Sequence, residues 1–124
     1  MTHYYQSIGQ DWFTYPNFYS RVVQEFSDNS KFVEVGSWKG RSACFMGVEI
    51  FNSGKTIKLD CVDTWEGSDE HKDPSSNHFD TISGEELYNE FLANITPLKH
   101  IITPVRMTSV EASFLYEDKS LDVV

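Results

Sequence analysis

Glu34, Gly36, Gly40, Ser42 and Asp63 are the residues whose types and spacing carry the clearest chemistry. Glu34 stands one position inside the end of the run Lys31-Phe32-Val33-Glu34-Val35, and Gly36 and Gly40 follow with three residues between them. Ser42 then opens Ser42-Ala43-Cys44-Phe45-Met46-Gly47-Val48-Glu49-Ile50-Phe51. The pattern reads as strand, tight loop, helix. Glycines let backbone N–H groups approach a ligand closely, and a carboxylate at the strand end accepts from a hydroxyl or an ammonium. In an open α/β sheet such a turn lies at the carboxyl end of the first strand, where ligands bind at the topological switch point.

A second carboxylate fits the same site. Thr56-Ile57-Lys58-Leu59-Asp60-Cys61-Val62-Asp63 reads as the next strand and ends on an acid 27 residues after Gly36. The ribose-binding acid of a nucleotide-binding βαβ unit falls about 20 residues on, and the longer helix here accounts for the difference. A carboxylate at that tip lies beside the glycine turn and can accept both hydroxyls of a ribose. Thr64-Trp65 follows directly. Trp65 either walls an adenine ring or covers the sheet end as a core aromatic.

Other polar clusters are weaker. Asp69, Glu70, His71, Asp73, His78 and Asp80 sit in a Pro- and Ser-containing stretch whose spacing matches no metal-ligand motif, so it reads as a solvated loop or lid and no metal is expected. Cys44 in a predicted helix and Cys61 in a predicted strand suit buried thiols. His3, His71, His78 and His100 read as surface or loop histidines, and no catalytic base is nominated.

The elements that must position these residues follow from periodicity. Residues 1–15 are aromatic and irregular, and their aromatics either fill the core against the sheet or, at Trp12 or Tyr15, cap a substrate pocket. Pro16 opens a helix with Phe18, Val22, Val23 and Phe26 on one face. The helix from Ser42 ends at Asn52-Ser53-Gly54, with Gly where a left-handed cap belongs. Ser83 and Glu86 form a capping box for a helix whose buried face is Leu87, Phe91, Leu92 and Ile95. His100–Arg106 reads as a third strand, its Pro104 suited to an edge. Val110–Tyr116 reads as a short helix, and Ser120–Val124 starts a fourth strand. The expected fold is α/β: a Rossmann-like open parallel sheet of order 3-2-1-4, helices on both faces, truncated at the fourth strand.

Composition sets bounds on function. A chain of 124 residues, 40% hydrophobic, supports one domain over 1–124, with an aromatic N-terminal part at 1–29 and a cofactor-binding part at 30–124. A net charge of −9 without a basic cluster disfavours nucleic acid. No apolar run reaches the roughly 18 residues of a membrane span, and the N-terminus lacks a signal peptide's pattern, so the expected location is the cytoplasm.

Taken together, these residues resemble a class I methyltransferase that uses S-adenosylmethionine, within the small-molecule family whose first motif reads acid, x, Gly, x, x, x, Gly, x, Ser. Glu34, Gly36, Gly40 and Ser42 match that motif, Val62-Asp63-Thr64-Trp65 matches the second, and Met107–Ala112 is similar to the segment after the third strand. The resemblance covers about residues 30–124 and corresponds to the N-terminal half of such a protein. It implies S-adenosylmethionine as cofactor, with the backbone at Gly36 and Ser37 on the methionine part, Asp63 on the ribose, Thr64 and Trp65 near the adenine, and Ser109 beside adenine or sugar. It implies a small-molecule methyl acceptor. Leu121-Asp122-Val123-Val124 is similar to the start of the fourth-strand motif, without the acid and His that follow it in relatives.

Two rival nucleotide readings fit less well. An NAD loop has Gly where Trp38 stands, and a P-loop has four residues between its glycines followed by Lys, where this chain has three and Arg41. A different class of function also fits: a non-catalytic module that binds an adenosyl ligand, or a fragment that pairs with a second copy or a partner through its exposed fourth-strand edge.

Overall fold

The computed structural model describes residues 1–9, 13–66 and 84–124. Trp12, the acidic and His-containing stretch from Asp69 to Asp80, and the Ser83 cap lie outside the described residues. The order of elements is α1 (Pro16–Glu25), β1 (Lys31–Val35), α2 (Arg41–Ser53), β2 (Lys58–Asp63), α3 (Gly84–Ile95), β3 (Ile102–Arg106) and α4 (Ser109–Ser113). Short 3-10 turns at Tyr5–Ser7 and Thr96–Leu98 complete it.

The three strands form one parallel sheet in the order β1-β2-β3, with Phe32 opposite Leu59 and Leu59 opposite Ile102. Pro104 stands on β3, at an edge of this sheet, where its missing N–H leaves no ladder bond unmade. On the other edge Val123 forms a single parallel bridge with Phe32, and Val33 N–H donates to Val123 O at 2.8 Å. The bridge is one residue pair long, shorter than the strand expected over Ser120–Val124.

Alternation along the strands divides the core. Phe32, Leu59, Cys61 and Ile102 pack with buried residues of α1, α2 and α3, among them Val23, Ile50 and Phe91. Val33 and Val62 face the opposite way, against Ala112 of α4, with Val105, Tyr116 and Leu121 around them. Among the described residues, helices thus lie on both faces, α1, α2 and α3 on one and the short α4 on the other.

Local chemistry explains the joins. Lys55 reaches the end of α1 and donates from Nζ to the carbonyls of Val23, Gln24 and Phe26 at 2.8–2.9 Å, capping acceptors that a helix end leaves open. Asp28 and Asn29 bond Thr56, which holds the entries to β1 and β2 together. α2 stops at Gly54, which takes φ 72° and returns its N–H to Phe51 O. Gly47 allows the 3-10 turn to lie against α2, since an added Cβ would stand 2.7 Å from Leu98 Cδ1.

Two details of α1 and α4 differ from expectation. Val22 and Val23 are buried, but Phe18 is 58% exposed, and Tyr19 joins the core margin instead. α4 ends at Ser113 and begins one residue earlier than expected, at Ser109, where Thr108 and Glu111 form a capping box.

Candidate functional site

At the end of β1 the chain turns sharply. Gly36 takes φ 82°, Trp38 φ 54° and Gly40 φ 92°, all in the left-handed region. Gly36 N–H donates to Val62 O at 2.8 Å, which ties the turn to β2, and Gly40 N–H closes it onto Ser37 O at 2.8 Å. Cys44 N–H then donates to Gly40 O and α2 begins, with no side chain capping its first turn. The two glycines serve different needs. At Gly40 an added Cβ would stand 3.0 Å from Phe91 Cδ2, whereas at Gly36 nothing lies within 4 Å and that side of the turn is open.

Asp63 converges on this turn from the end of β2. Its Oδ2 accepts the Trp38 N–H at 3.0 Å and its Oδ1 accepts the Trp65 N–H at 2.9 Å. Each carboxylate oxygen has a second lone pair, so two acceptor positions remain. Thr64 is half-buried, and its carbonyl accepts from Arg106 Nε at 3.4 Å.

Trp65 is wholly buried. Its ring centroid lies 4.6 Å from that of Phe91 and 4.9 Å from that of Tyr88, and its Nε1 donates to Trp38 O at 2.7 Å. It holds the turn from behind as a core aromatic and presents no open ring face to a ligand.

Beneath the turn lies a polar cluster. Glu34 Oε2 accepts from Ser42 Oγ at 2.7 Å and from Tyr19 OH at 2.9 Å, while its Oε1 is sealed from solvent without a hydrogen-bond partner. Burial pushes the Glu34 carboxyl up, against the opposing pull of the Ser42, Tyr19 and Ser37 hydroxyls. The Tyr19 hydroxyl is raised as well, first by burial and then by the Glu34 charge. Ser37 is 2% exposed, and its hydroxyl lies near the Glu34 carboxyl, close enough to draw on it but not aligned as a full hydrogen bond. Cys44 and Cys61 are free, buried thiols nearby, and burial holds Cys44 up at about 11.

Gly36, Ser37, Trp38, Arg41 and Ser42 line a cavity of about 180 Å³, closed on its other side by Phe13, Tyr15 and Tyr19. Tyr15, for which core filling and pocket capping were the two readings, lines this cavity and is 67% exposed. Phe13 and Tyr19 were not foreseen as wall residues. Their signal in the sequence was slight, an aromatic in an irregular segment and a Tyr beside the apolar stripe of α1. Arg41 follows Gly40 directly, and its Nη1 donates to the carbonyls of Gln6 and Ile8 at 3.2 and 3.1 Å.

Glu34, Gly36, Ser37, Gly40, Ser42 and Asp63 are thus brought together around one turn. Ser109 is not among them. It is exposed at the start of α4 and lines a separate cavity of about 140 Å³ with Val33, Val62 and Tyr116 on the opposite face. Among the described residues no group of three or more His, Cys, Asp or Glu side chains could hold a metal ion, and no helix is long and apolar enough to cross a membrane. No protein-family model matches the chain, and no curated protein is significantly similar to it.

Proposed function

We propose that this chain binds S-adenosylmethionine at the turn between β1 and α2 and belongs to a cytoplasmic enzyme that methylates a small molecule. The observation that carries the reading is the bond from Trp38 N–H to Asp63 Oδ2 at 3.0 Å, because it brings the two motifs to one place. In the same proposal Asp122–Val124 is the start of a fourth strand beside β1, giving the order 3-2-1-4.

The residues present fit such a cofactor. The open side of Gly36 and the buried Ser37 hydroxyl suit its amino-acid end, and the remaining acceptor positions of Asp63 suit its ribose hydroxyls. A cavity of about 180 Å³ is below the 300–1,000 Å³ of whole-ligand pockets, so it holds the amino-acid end and leaves the nucleoside along the strand ends near Asp63. Arg41 and Ser42, the first residues of α2, line the same cavity, and an uncapped helix start favours a carboxylate. When bound, S-adenosylmethionine supplies an activated methyl group. The chain's own part is to orient that group: Glu34 holds Ser42 and Tyr19 in position, and Trp65 holds the Trp38 carbonyl.

Isothermal titration with S-adenosylmethionine and with its demethylated product tests the reading. Binding of either with one site per chain supports it, and loss of both in Asp63→Ala localises them. No heat from either ligand removes it.

A non-catalytic role is the second reading, in which the chain holds the adenosyl ligand or associates through the outer edge of β1. It is favoured by the exposure of Val35 at 53%, at the outer edge of β1. Product formation with a panel of small acceptors, alongside sedimentation, separates the two.

A further inference from the structure

We propose that the aromatic wall of the cavity at the turn recognises the charge of a sulfonium, so that the chain holds S-adenosylmethionine more tightly than its demethylated product. The inference rests on the reading of the turn as the site of that cofactor, and adds the means by which the site tells the loaded form from the spent one.

Phe13, Tyr15, Tyr19 and Trp38 line the cavity, brought there from the leading segment, α1 and the turn. Phe13 and Tyr19 meet edge to face with centroids 5.0 Å apart. Among the described residues no carboxylate lines the cavity, so a cation placed there is met by rings and not by an acid. A sulfonium has no N–H or O–H to donate. Aromatic faces within about 6 Å are the partners that suit such a cation.

The ligand's own connectivity places the charge. Its sulfonium stands between the amino-acid end and the ribose, and Trp38 spans the two subsites in the same way. It lines the cavity, and its N–H donates to Asp63 Oδ2 at 3.0 Å, where the ribose is proposed to lie. Trp38 also holds φ 54°, a costly region for a bulky side chain, and is kept there by that bond and by the one from Trp65 Nε1 to its carbonyl at 2.7 Å. The other left-handed positions of the turn are glycines, so an indole held at this one points to a use beyond turning the chain.

Other charges do not reproduce the preference. Lys39 Nζ lies 5.7 Å from the Trp38 ring centroid, with Glu90 at 3.9 Å to offset it. Arg41 and the start of α2 serve the carboxylate, which both forms of the cofactor carry, so that contribution cancels between them. The net charge of −9 attracts any cation, but at long range, and salt screens it.

Calorimetric titration of the whole chain compares S-adenosylmethionine, its demethylated product and sinefungin, which carries an ammonium in place of the methylated sulfur, at about 0.05 M and about 0.5 M salt. S-adenosylmethionine should bind at least about fivefold more tightly than the product at both, and sinefungin should also exceed the product. Tyr15 is 67% exposed and can be replaced without opening the core. Tyr15→Leu should lower the preference about twofold or more while leaving the affinity for the product unchanged, and Tyr15→Phe should keep it. Trp38→Leu should bring it close to one, and should that variant fail to fold, the Tyr15 pair decides. Equal or tighter binding of the product, a preference lost at the higher salt, sinefungin no better than the product, or a preference unmoved in either Leu variant would each overturn the inference. Binding without preference removes this inference alone, whereas no heat from any of the three removes the cofactor reading with it.

Discussion

Ser42 donates to Glu34 across 2.7 Å, so the first turn of α2 is bonded to the one acid of β1. The glycine turn is therefore clamped from below as well as closed from above by Asp63, and perturbing either carboxylate should disturb it in a different way.

Asp63→Ala removes the acceptor for two amides at once, those of Trp38 and Trp65. The expected loss is about 1–3 kcal/mol of stability by urea denaturation, the usual penalty of leaving buried donors unsatisfied. Affinity for S-adenosylmethionine should fall about tenfold or more, as for one charge-assisted bond. Unchanged affinity in a folded variant would separate Asp63 from the ligand.

Glu34 is expected to make stability fall as pH rises. Burial raises its folded pKa above the unfolded value of about 4.3, so across that interval the native state binds more protons than the unfolded state. Its contribution is full below the unfolded pKa and is lost as pH climbs through the folded one. Glu34→Gln should remove that slope, gaining on the unaltered chain as pH goes from 4 toward neutrality. Parallel urea series for the two proteins at several pH values give the comparison, and identical slopes would refute it.

The two glycines of the turn should respond oppositely to alanine. Gly40→Ala meets both a φ of 92° and Phe91 at 3.0 Å, and should cost about 1–3 kcal/mol of stability. Gly36→Ala has open space, so only the backbone term of about 1 kcal/mol applies, but its methyl occupies the side proposed for the ligand. Denaturation midpoints should therefore move most for Gly40, and binding heats should change most for Gly36.

Lys55→Met leaves three carbonyls at the end of α1 without their shared donor. Hydrogen exchange at amides of the last turn of α1, including Phe26, should quicken by about five- to tenfold, the equivalent of about 1–1.5 kcal/mol of local stability. Exchange at β2 should change less.

Much of the sheet was legible from the chain because each strand is a short apolar run bounded by turn residues. Lys31–Val35 and the Gly54 cap appear where periodicity puts them. The start of α4 was less legible, although Thr108-Ser109-Val110-Glu111 carries the same capping pattern seen at Ser83 and Glu86. The site was legible where it depends on backbone: glycines that must turn, and an acid that must end a strand. It was obscure where it depends on packing from distant segments. Nothing local to Tyr19 tells that its hydroxyl reaches Glu34, and nothing local to Trp65 tells whether its ring looks outward or, as found, into Phe91 and Tyr88.

Arg41 both lines the small cavity and grips the carbonyls of Gln6 and Ile8. Whatever draws its guanidinium toward a guest must loosen that grip, and by reciprocity whatever loosens the leading residues must alter how the guest is held. A fusion tag or a proteolytic nick ahead of Gly9 therefore reaches the cavity wall through Arg41 and through the Tyr5–Phe13 ring contact, so tagged and untagged protein should be measured side by side.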